Sequence, residues 1–171
     1  MEREKIIHTI EPVYDEASRV LILGTMPSPK SREIGFYYGH PQNRFWRVMA
    51  ALFSCAVPAA NEQCTALLKE NHIALWDVLA SCDIAGADDG SIKNPVPNDL
   101  NRILNVSDIQ AVFTTGTKAY ALYNRLCRGK TGIEAIPLPS TSPANCRYYT
   151  FDQLVERYQA IMDYLLSLIH I

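Results

Sequence analysis

The chain has 171 residues, of which 48% are hydrophobic and 20% are charged, and its formal net charge is −2. This composition excludes intrinsic disorder and predicts a single domain, residues 1–171, with a substantial hydrophobic core. It also excludes a protein that coats nucleic acid by overall charge, so any contact with nucleic acid has to come from a local cationic patch.

Neither a membrane segment nor a metal centre is expected from the sequence. No stretch approaches the ~18 consecutive apolar residues of a membrane span, and residues 1–16 lack the apolar segment of a signal peptide, which predicts a cytoplasmic protein. The five cysteines are odd in number and contain no Cys-x-x-Cys spacing, which indicates neither a disulfide framework nor a thiolate metal site. The fragment Asp88-Asp89-Gly90 resembles part of a calcium loop but lacks its terminal glutamate. We therefore expect no bound metal.

Short apolar runs alternate with segments of helical spacing along the whole chain. Buried strands are predicted at residues 19–24, 73–79, 109–114 and 133–138, and helices at 43–53, 61–72, 98–105, 117–127 and 151–169. This alternation predicts an α/β fold with a mostly parallel sheet. Ligands of such sheets bind beyond the carboxyl ends of the strands. Two segments are therefore candidate site loops: the first loop, residues 24–43, and the second loop, residues 137–147.

The first loop is unusual for its aromatic content. It opens Gly24-Thr-Met-Pro-Ser28 and has neither the glycine pattern of a dinucleotide site nor the Gly-Lys-Ser/Thr of a phosphate loop, so this opening alone predicts an ordinary connection. Residues 35–46 contain five aromatic side chains together with His40 and Asn43. A base stacked on an aromatic ring gains about 1–3 kcal/mol, and an asparagine offers both a donor and an acceptor. Core packing explains the last two aromatics, which begin a helix, better than it explains the others.

The second loop contains Pro137-Leu-Pro-Ser-Thr-Ser-Pro-Ala-Asn145. Prolines and small hydroxyl residues form tight turns whose N–H and O–H groups can hold a phosphate. Such a segment alone is most often only a turn. Its position after a strand, like that of the first loop, favours a shared site.

Together these segments resemble the uracil-DNA glycosylase superfamily and, within it, the hypoxanthine-DNA glycosylase (DNA-deoxyinosine glycosylase) family. The resemblance runs from Val20 to the terminal helix, and the string Tyr37-Tyr-Gly-His-Pro-Gln-Asn-Arg-Phe-Trp46 is its most specific part. It implies a three-layer α/β/α sandwich with a central, mostly parallel four-stranded sheet. We therefore expect a monofunctional, monomeric enzyme without a cofactor. That enzyme would flip a deaminated base, chiefly hypoxanthine, out of DNA and hydrolyse its N-glycosidic bond, leaving an abasic site.

The resemblance also implies roles for individual residues. Better-known branches of the superfamily carry a water-positioning Asn or Asp where this chain has Met26, and a methionine cannot orient water. The catalytic role is then implied for Asn43, which would orient the water or bond the base. His40 would contact base, sugar or phosphate, or only fix the loop. The implied base-binding residues are Gly24, Thr25, Met26 and Tyr38, and the implied DNA-binding residues are Ser28, Ser140, Ser142, Pro143, Ala144, Asn145 and Arg147.

Departures from the superfamily pattern leave alternatives open. Ser140 stands where a histidine is frequent, and Ala144 is small for a residue that fills the gap left by a flipped base. Three alternative functions therefore stay open. They are a uracil- or mismatch-directed glycosylase, a non-catalytic module that binds damaged DNA or nucleotide, and an unrelated enzyme of small nucleotides. Asp77 follows a strand as a general base could, although such a carboxylate more often caps a turn or pairs with a lysine. The cations nearest to the loops either converge into a patch or are scattered; they are Lys30, Arg32, Arg44, Arg47, Lys93, Lys118 and Arg147.

Overall fold

The computed structural model describes residues 2–165. The strands are β1 (Glu4–Ile7), β2 (Val20–Gly24), β3 (Ile73–Asp77), β4 (Leu79–Ala85), β5 (Asp88–Pro97), β6 (Ala111–Thr115) and β7 (Ala135–Leu138). The α-helices are α1 (Pro29–Ile34), α2 (Phe45–Leu52), α3 (Asn61–Glu70), α4 (Asn101–Leu104), α5 (Thr117–Leu126), α6 (Arg128–Thr131) and α7 (Phe151–Tyr158). Short 3₁₀ helices occupy Pro143–Asn145 and Gln159–Tyr164.

Four parallel strands form the central sheet, in the order β3-β2-β6-β7. Every residue of β2, β3 and β6 is buried, which explains why these strands are nearly continuous apolar runs in the sequence. Helix α3 packs against β3, α5 packs against β6 and β7, and α2 packs against α7. The expected α/β fold with a four-stranded parallel sheet is confirmed.

A second, antiparallel sheet has the order β1-β4-β5 and is absent from the sequence prediction. The predicted strand 73–79 is wrong in extent, because the parallel strand ends at Asp77 and β4 begins at Leu79. Strands β4 and β5 form a hairpin whose turn lies at Gly86 and Ala87. Gly86 has a φ of +59°, a backbone conformation that glycine adopts without steric cost. This hairpin reaches the same end of the molecule as the carboxyl ends of the parallel strands.

The helices differ from the predicted ones mainly at their ends. The first loop contains the unpredicted helix α1, and the predicted helix 98–105 shortens to Asn101–Leu104. The predicted helix 151–169 is α-helical to Tyr158 and 3₁₀ to Tyr164, and residues 166–169 lie outside the described residues. None of the described helices is both long and apolar enough to cross a membrane.

The strand order places a crevice beside β2. The chain leaves β2 for β3 on one side, whereas β6, which lies on the other side of β2, leads outward to β7. Because the chain turns to opposite sides after the neighbouring strands β2 and β6, a crevice opens at their carboxyl ends. This is where α/β proteins bind ligands. The loops that follow β2, β6 and β7 therefore face a common space.

Candidate active site

A cavity of about 340 Å³ opens at the carboxyl ends of the parallel strands. This volume lies near the lower end of the range of small-molecule sites, about 300–1,000 Å³, and suits a single flat ring system. Both loops predicted from the sequence line it, together with the hairpin tip. Its walls are formed by residues 24–28, Ser31, Tyr37, Tyr38, His40, Asn43, Asp77, Ile84, Gly86, Ala87, Asp89, Thr115 and residues 140–144.

The structure brings together all the residues implied from the sequence except two. Asn145 is not among the lining residues; its amide nitrogen donates to the carbonyl of Ser140 at 2.9 Å and so stabilises the second loop. Arg147 is exposed on the same loop, outside the cavity lining. These two residues can shape or extend the site, but they do not form its walls.

The cations nearest to the loops do not line the cavity in the described chain. Lys30 pairs with Glu33 at 3.6 Å, and Arg32 donates to the carbonyl of Pro27 at 2.9 Å. Arg44 is partly buried and donates to the carbonyl of Tyr149 at 2.7 Å. The cavity walls are therefore neutral or acidic, as is appropriate for a ring rather than for a phosphate.

Asn43 stands two residues before helix α2, with its side-chain orientation fixed. Its carbonyl oxygen Oδ1 accepts hydrogen bonds from the backbone N–H of Phe45 at 2.9 Å and from the Thr141 hydroxyl at 2.8 Å. Two donors occupy both lone pairs of a carbonyl oxygen. The Asn43 amide group therefore faces the cavity as a donor, because its acceptor oxygen is already used.

Tyr38 is held in a backbone conformation that favours glycine. Its φ of +54° lies in the left-handed region, which costs a non-glycine residue about 1–2 kcal/mol. Phe45 stacks on the ring at a centroid distance of 4.0 Å and an interplanar angle of 14°. Burial, and secondarily the negative charge of Asp77, raises the pKa of Tyr38 above its ordinary value, so the phenol stays neutral. Backbone strain in a cavity wall points to a functional requirement for this ring position.

His40 and Ser28 both make local bonds within the first loop. Nδ1 of His40 accepts from the backbone N–H of Gln42 at 3.1 Å, which leaves Nε2 to carry the proton in the neutral ring. The Ser28 hydroxyl accepts from the backbone N–H of Ser31 at 3.2 Å and so caps helix α1. Both side chains have a structural task, although both also line the cavity.

The second loop is anchored from behind by neighbouring helices. The Tyr158 hydroxyl of α7 donates to the carbonyl of Pro139 at 2.6 Å, and the Arg44 backbone N–H donates to the carbonyl of Thr141 at 3.1 Å. Within the loop, Ser140 Oγ accepts from the backbone N–H of Ser142 at 3.1 Å. The loop is therefore a rigid wall of small polar groups.

Asp77 forms a buried pair with a histidine, not with a lysine. Its Oδ2 lies 2.8 Å from Nε2 of His8, and the two side chains are only 5% and 1% exposed. A Cβ at Gly24 would lie 2.6 Å from Oδ1 of Asp77 and 3.1 Å from the Tyr38 hydroxyl. Gly24 thus leaves room for the carboxylate at the bottom of the cavity. His8 follows β1, lies far from the recognised motifs and is not among the residues predicted from the sequence.

Asp89 supplies a second carboxylate, from the tip of the hairpin. Desolvation by its surroundings, and secondarily the negative charge of Asp77, raises the pKa of Asp89, while Lys118 and the Thr25 side chain act in the opposite direction. In the sequence, Asp89 is distinguished only as part of a calcium-like fragment. Within residues 2–165, no group of three or more His, Cys, Asp or Glu residues is placed to hold a metal ion.

Comparison with known proteins agrees with this architecture. The profile of the Uracil DNA glycosylase superfamily matches residues 11–165. The chain belongs to this superfamily. Two curated relatives named hypoxanthine DNA glycosylase, from Methanosarcina acetivorans and Methanosarcina barkeri, are 37% and 34% identical to it over 138 residues. Each alignment covers 80% of this chain and 86% of the relative.

A solved structure supports the same assignment for this superfamily member. It is the solution NMR structure of a Methanosarcina acetivorans protein provisionally described as a uracil DNA glycosylase. The TM-score is 0.77 and the sequence identity is 30%, over 93% of this chain and 99% of the other. The family resemblance inferred from the loops is therefore confirmed, whereas the roles of the individual residues stay predictions.

Proposed function

We propose that this superfamily member is a monofunctional DNA glycosylase that removes a deaminated base, chiefly hypoxanthine, and leaves an abasic site. The main supporting observation is the ring-sized cavity in which Tyr38, Asn43 and Asp77 meet. The curated relatives named hypoxanthine DNA glycosylase support the choice of substrate. Flipping brings the base to such a cavity and costs least for a mispaired base.

Recognition of the base is assigned to Tyr38 and Asp77. The base stacks on the Tyr38 ring, of which Phe45 supports one face. Oδ1 of Asp77 accepts a hydrogen bond from the N1–H of hypoxanthine. Adenine, from which hypoxanthine arises by deamination, has a lone pair at N1, which a carboxylate repels, so this contact disfavours adenine. Sites built around such a polar contact reject an analogue that lacks it by up to about 10⁴–10⁵-fold.

Asn43 stabilises the departing base. Its amide nitrogen donates to the negative charge that develops on the base as the C1′–N bond breaks. One such preorganised donor contributes about 10²–10³-fold in rate. A donor role is favoured because Oδ1 already accepts from Phe45 and Thr141.

The reaction ends at the abasic site. No lysine is among the described residues that line the cavity, which favours hydrolysis without a Schiff-base intermediate. On the DNA side, the second loop presents Ser142 and Ala144 at the rim, and the exposed Arg147 can reach a phosphate.

Uracil is the second candidate base, for a specific reason. Its N3–H can donate to the same oxygen of Asp77, so this contact alone does not separate uracil from hypoxanthine.

The test is base release from labelled duplexes that contain one deoxyinosine, deoxyuridine or deoxyxanthosine, with an undamaged duplex as control and alkali to reveal abasic sites. We expect the fastest release from deoxyinosine and none from undamaged DNA. Binding of damaged DNA without any release would instead identify a non-catalytic module, and release from free nucleosides alone would identify an enzyme of small nucleotides.

A further inference from the structure

The proposed reaction needs a group that binds the attacking water, and three expected residues do not provide one. Met26 has no polar hydrogen-bonding group suited to this task. Asn43 uses its acceptor oxygen for Phe45 and Thr141. Nδ1 of His40 accepts from Gln42, so the neutral ring offers only a donor to the cavity. The remaining proton acceptors of suitable strength in the described cavity walls are two carboxylates, Asp77 and Asp89.

The two carboxylates lie at different depths. Asp77 ends a buried strand, its side chain is 5% exposed, and one of its oxygens is held by His8. Asp89 is exposed at the hairpin tip, where it borders the same cavity. A flipped nucleotide enters base first, so its sugar carbon C1′ stays nearer to the mouth than the far edge of the base does. Depth therefore pairs Asp77 with the base and Asp89 with C1′.

We propose that Asp89 is the catalytic residue that binds the attacking water and accepts its proton, an inference that rests on the proposed glycosylase function. The water oxygen forms a bond to C1′ while the C1′–N bond breaks and its electron pair leaves with the base. One water proton passes to the Asp89 carboxylate, which later releases it to solvent, and the base anion takes up a proton. The negative carboxylate also stabilises the cationic sugar of the transition state.

The charges around Asp89 define the expected pH dependence. The groups that face it are Asp77 from β3, Lys118 from α5, the neighbouring Asp88 and the Thr25 hydroxyl. Desolvation, Asp77 and Asp88 raise the pKa of Asp89, whereas Lys118 and Thr25 lower it, and the net effect is an increase. Because the base form is the ionised carboxylate, the rate is highest above this pKa and falls as the pH drops through it. The acid limb of the pH–rate profile, where the rate falls with decreasing pH, should therefore lie at a higher pH than the ordinary pKa of an aspartate would give.

The experiment compares Asp89→Asn with the matched control Asp88→Asn. Both substitutions remove one negative charge from the same hairpin, but Asp88 does not line the site cavity. Oδ1 of Asp88 accepts from the Gly90 N–H at 3.0 Å, a bond that asparagine can keep. Single-turnover release from a deoxyinosine duplex is measured between about pH 5 and pH 9. We expect Asp89→Asn to lose about 10²–10⁴-fold in rate and its acid limb, and Asp88→Asn to stay within about threefold of the wild type.

Further measurements separate chemistry from binding and folding. The affinity for a duplex with an abasic-site analogue should be unchanged in Asp89→Asn, its thermal unfolding should match that of Asp88→Asn, and Asp89→Glu should recover part of the rate. The role of Asp89 would be overturned by any of three results for Asp89→Asn. These are a rate within about threefold of that of Asp88→Asn, a pH–rate profile that still falls at low pH, or a rate loss explained by weaker DNA binding. A wild type that releases no base would remove the proposed function and this inference together, whereas an active Asp89→Asn would remove only the inference.

Discussion

The two sides of the cavity hold their polar groups in different ways. The neutral wall, formed by Tyr38, Asn43, Ser140 and Thr141, is fixed by hydrogen bonds of 2.8–3.1 Å within and between the two loops and by stacking of Tyr38 on Phe45. The acidic wall is formed by two carboxylates, of which Asp77 is buried and held by His8, whereas Asp89 is exposed at the hairpin tip. Satisfied neutral groups bind a ligand at little cost to stability, whereas desolvated charges are typical of reacting groups. In the proposed reaction both walls contact the base, and each supplies one group to bond cleavage: Asn43 on the neutral wall and Asp89 on the acidic wall.

After Asp89→Asn, the largest effect is expected from Asn43→Asp, which tests the neutral wall. Aspartate keeps the acceptor oxygen for Phe45 and Thr141 but loses the donor that faces the cavity. Single-turnover release from a deoxyinosine duplex, measured with the duplex fully bound, should fall about 10²–10³-fold. Thr141→Ser, which keeps the hydroxyl donor, is the control and should remain close to the wild type. Full activity of Asn43→Asp would show that an acceptor, not a donor, is needed at this position.

His8→Ala should release Asp77 in the acidic wall from its partner and lower the stability of the fold. Asp77 would then lie buried without its partner, so the free energy of unfolding should fall by about 3 kcal/mol in denaturant titrations. Thr9→Ala, at the exposed neighbouring position, should change it by less than about 0.5 kcal/mol. His8→Gln can still donate to Asp77 and should restore part of the stability and activity. Equal stability of His8→Ala and Thr9→Ala would mean that the pair contributes nothing.

Tyr38→Leu tests stacking on the neutral wall. Loss of the aromatic face should weaken binding to a deoxyinosine duplex by about 1–3 kcal/mol, measured with a non-hydrolysable nucleotide analogue. Tyr38→Phe keeps the ring and gives up only the 3.4 Å contact between the hydroxyl and Thr115, so its affinity should be nearly unchanged. If the phenylalanine variant binds as weakly as the leucine variant, the hydroxyl and not the ring carries the affinity.

The smallest effect is expected from Ser28→Ala. Removal of the cap of helix α1 should lower the free energy of unfolding by about 1 kcal/mol, while DNA affinity stays the same. A loss of DNA affinity at unchanged stability would instead support the contact with DNA that the family resemblance implies for Ser28.

The parallel sheet and its two loops could be predicted from the sequence for a physical reason. Strands buried on both faces are continuous apolar runs, and their carboxyl ends meet at one edge. This rule alone selects both candidate loops. It would also have selected Thr115, which ends β6 and lines the cavity, had the predicted strand 109–114 been extended by one residue.

The antiparallel sheet could not be predicted in the same way. Strand β5 contains Pro95 and Pro97, which lower strand propensity but are tolerated because β5 is an edge strand. Asn94 within it has a φ of +52°. The pair of His8 and Asp77 joins positions 69 residues apart, and no periodicity in the sequence records such a contact. The acidic wall therefore became visible only in three dimensions.

The edge position of the hairpin has a consequence for how this scaffold can diversify. Its tip, Gly86 to Asp89, contributes to the cavity without belonging to the parallel sheet, and within residues 2–165 β5 pairs with a strand on one side only. Changes in length or sequence at the tip can therefore accumulate during evolution, or be introduced by grafting, while the central strands keep their register. Variation in repair chemistry among proteins with this architecture can arise in a few residues of an edge turn.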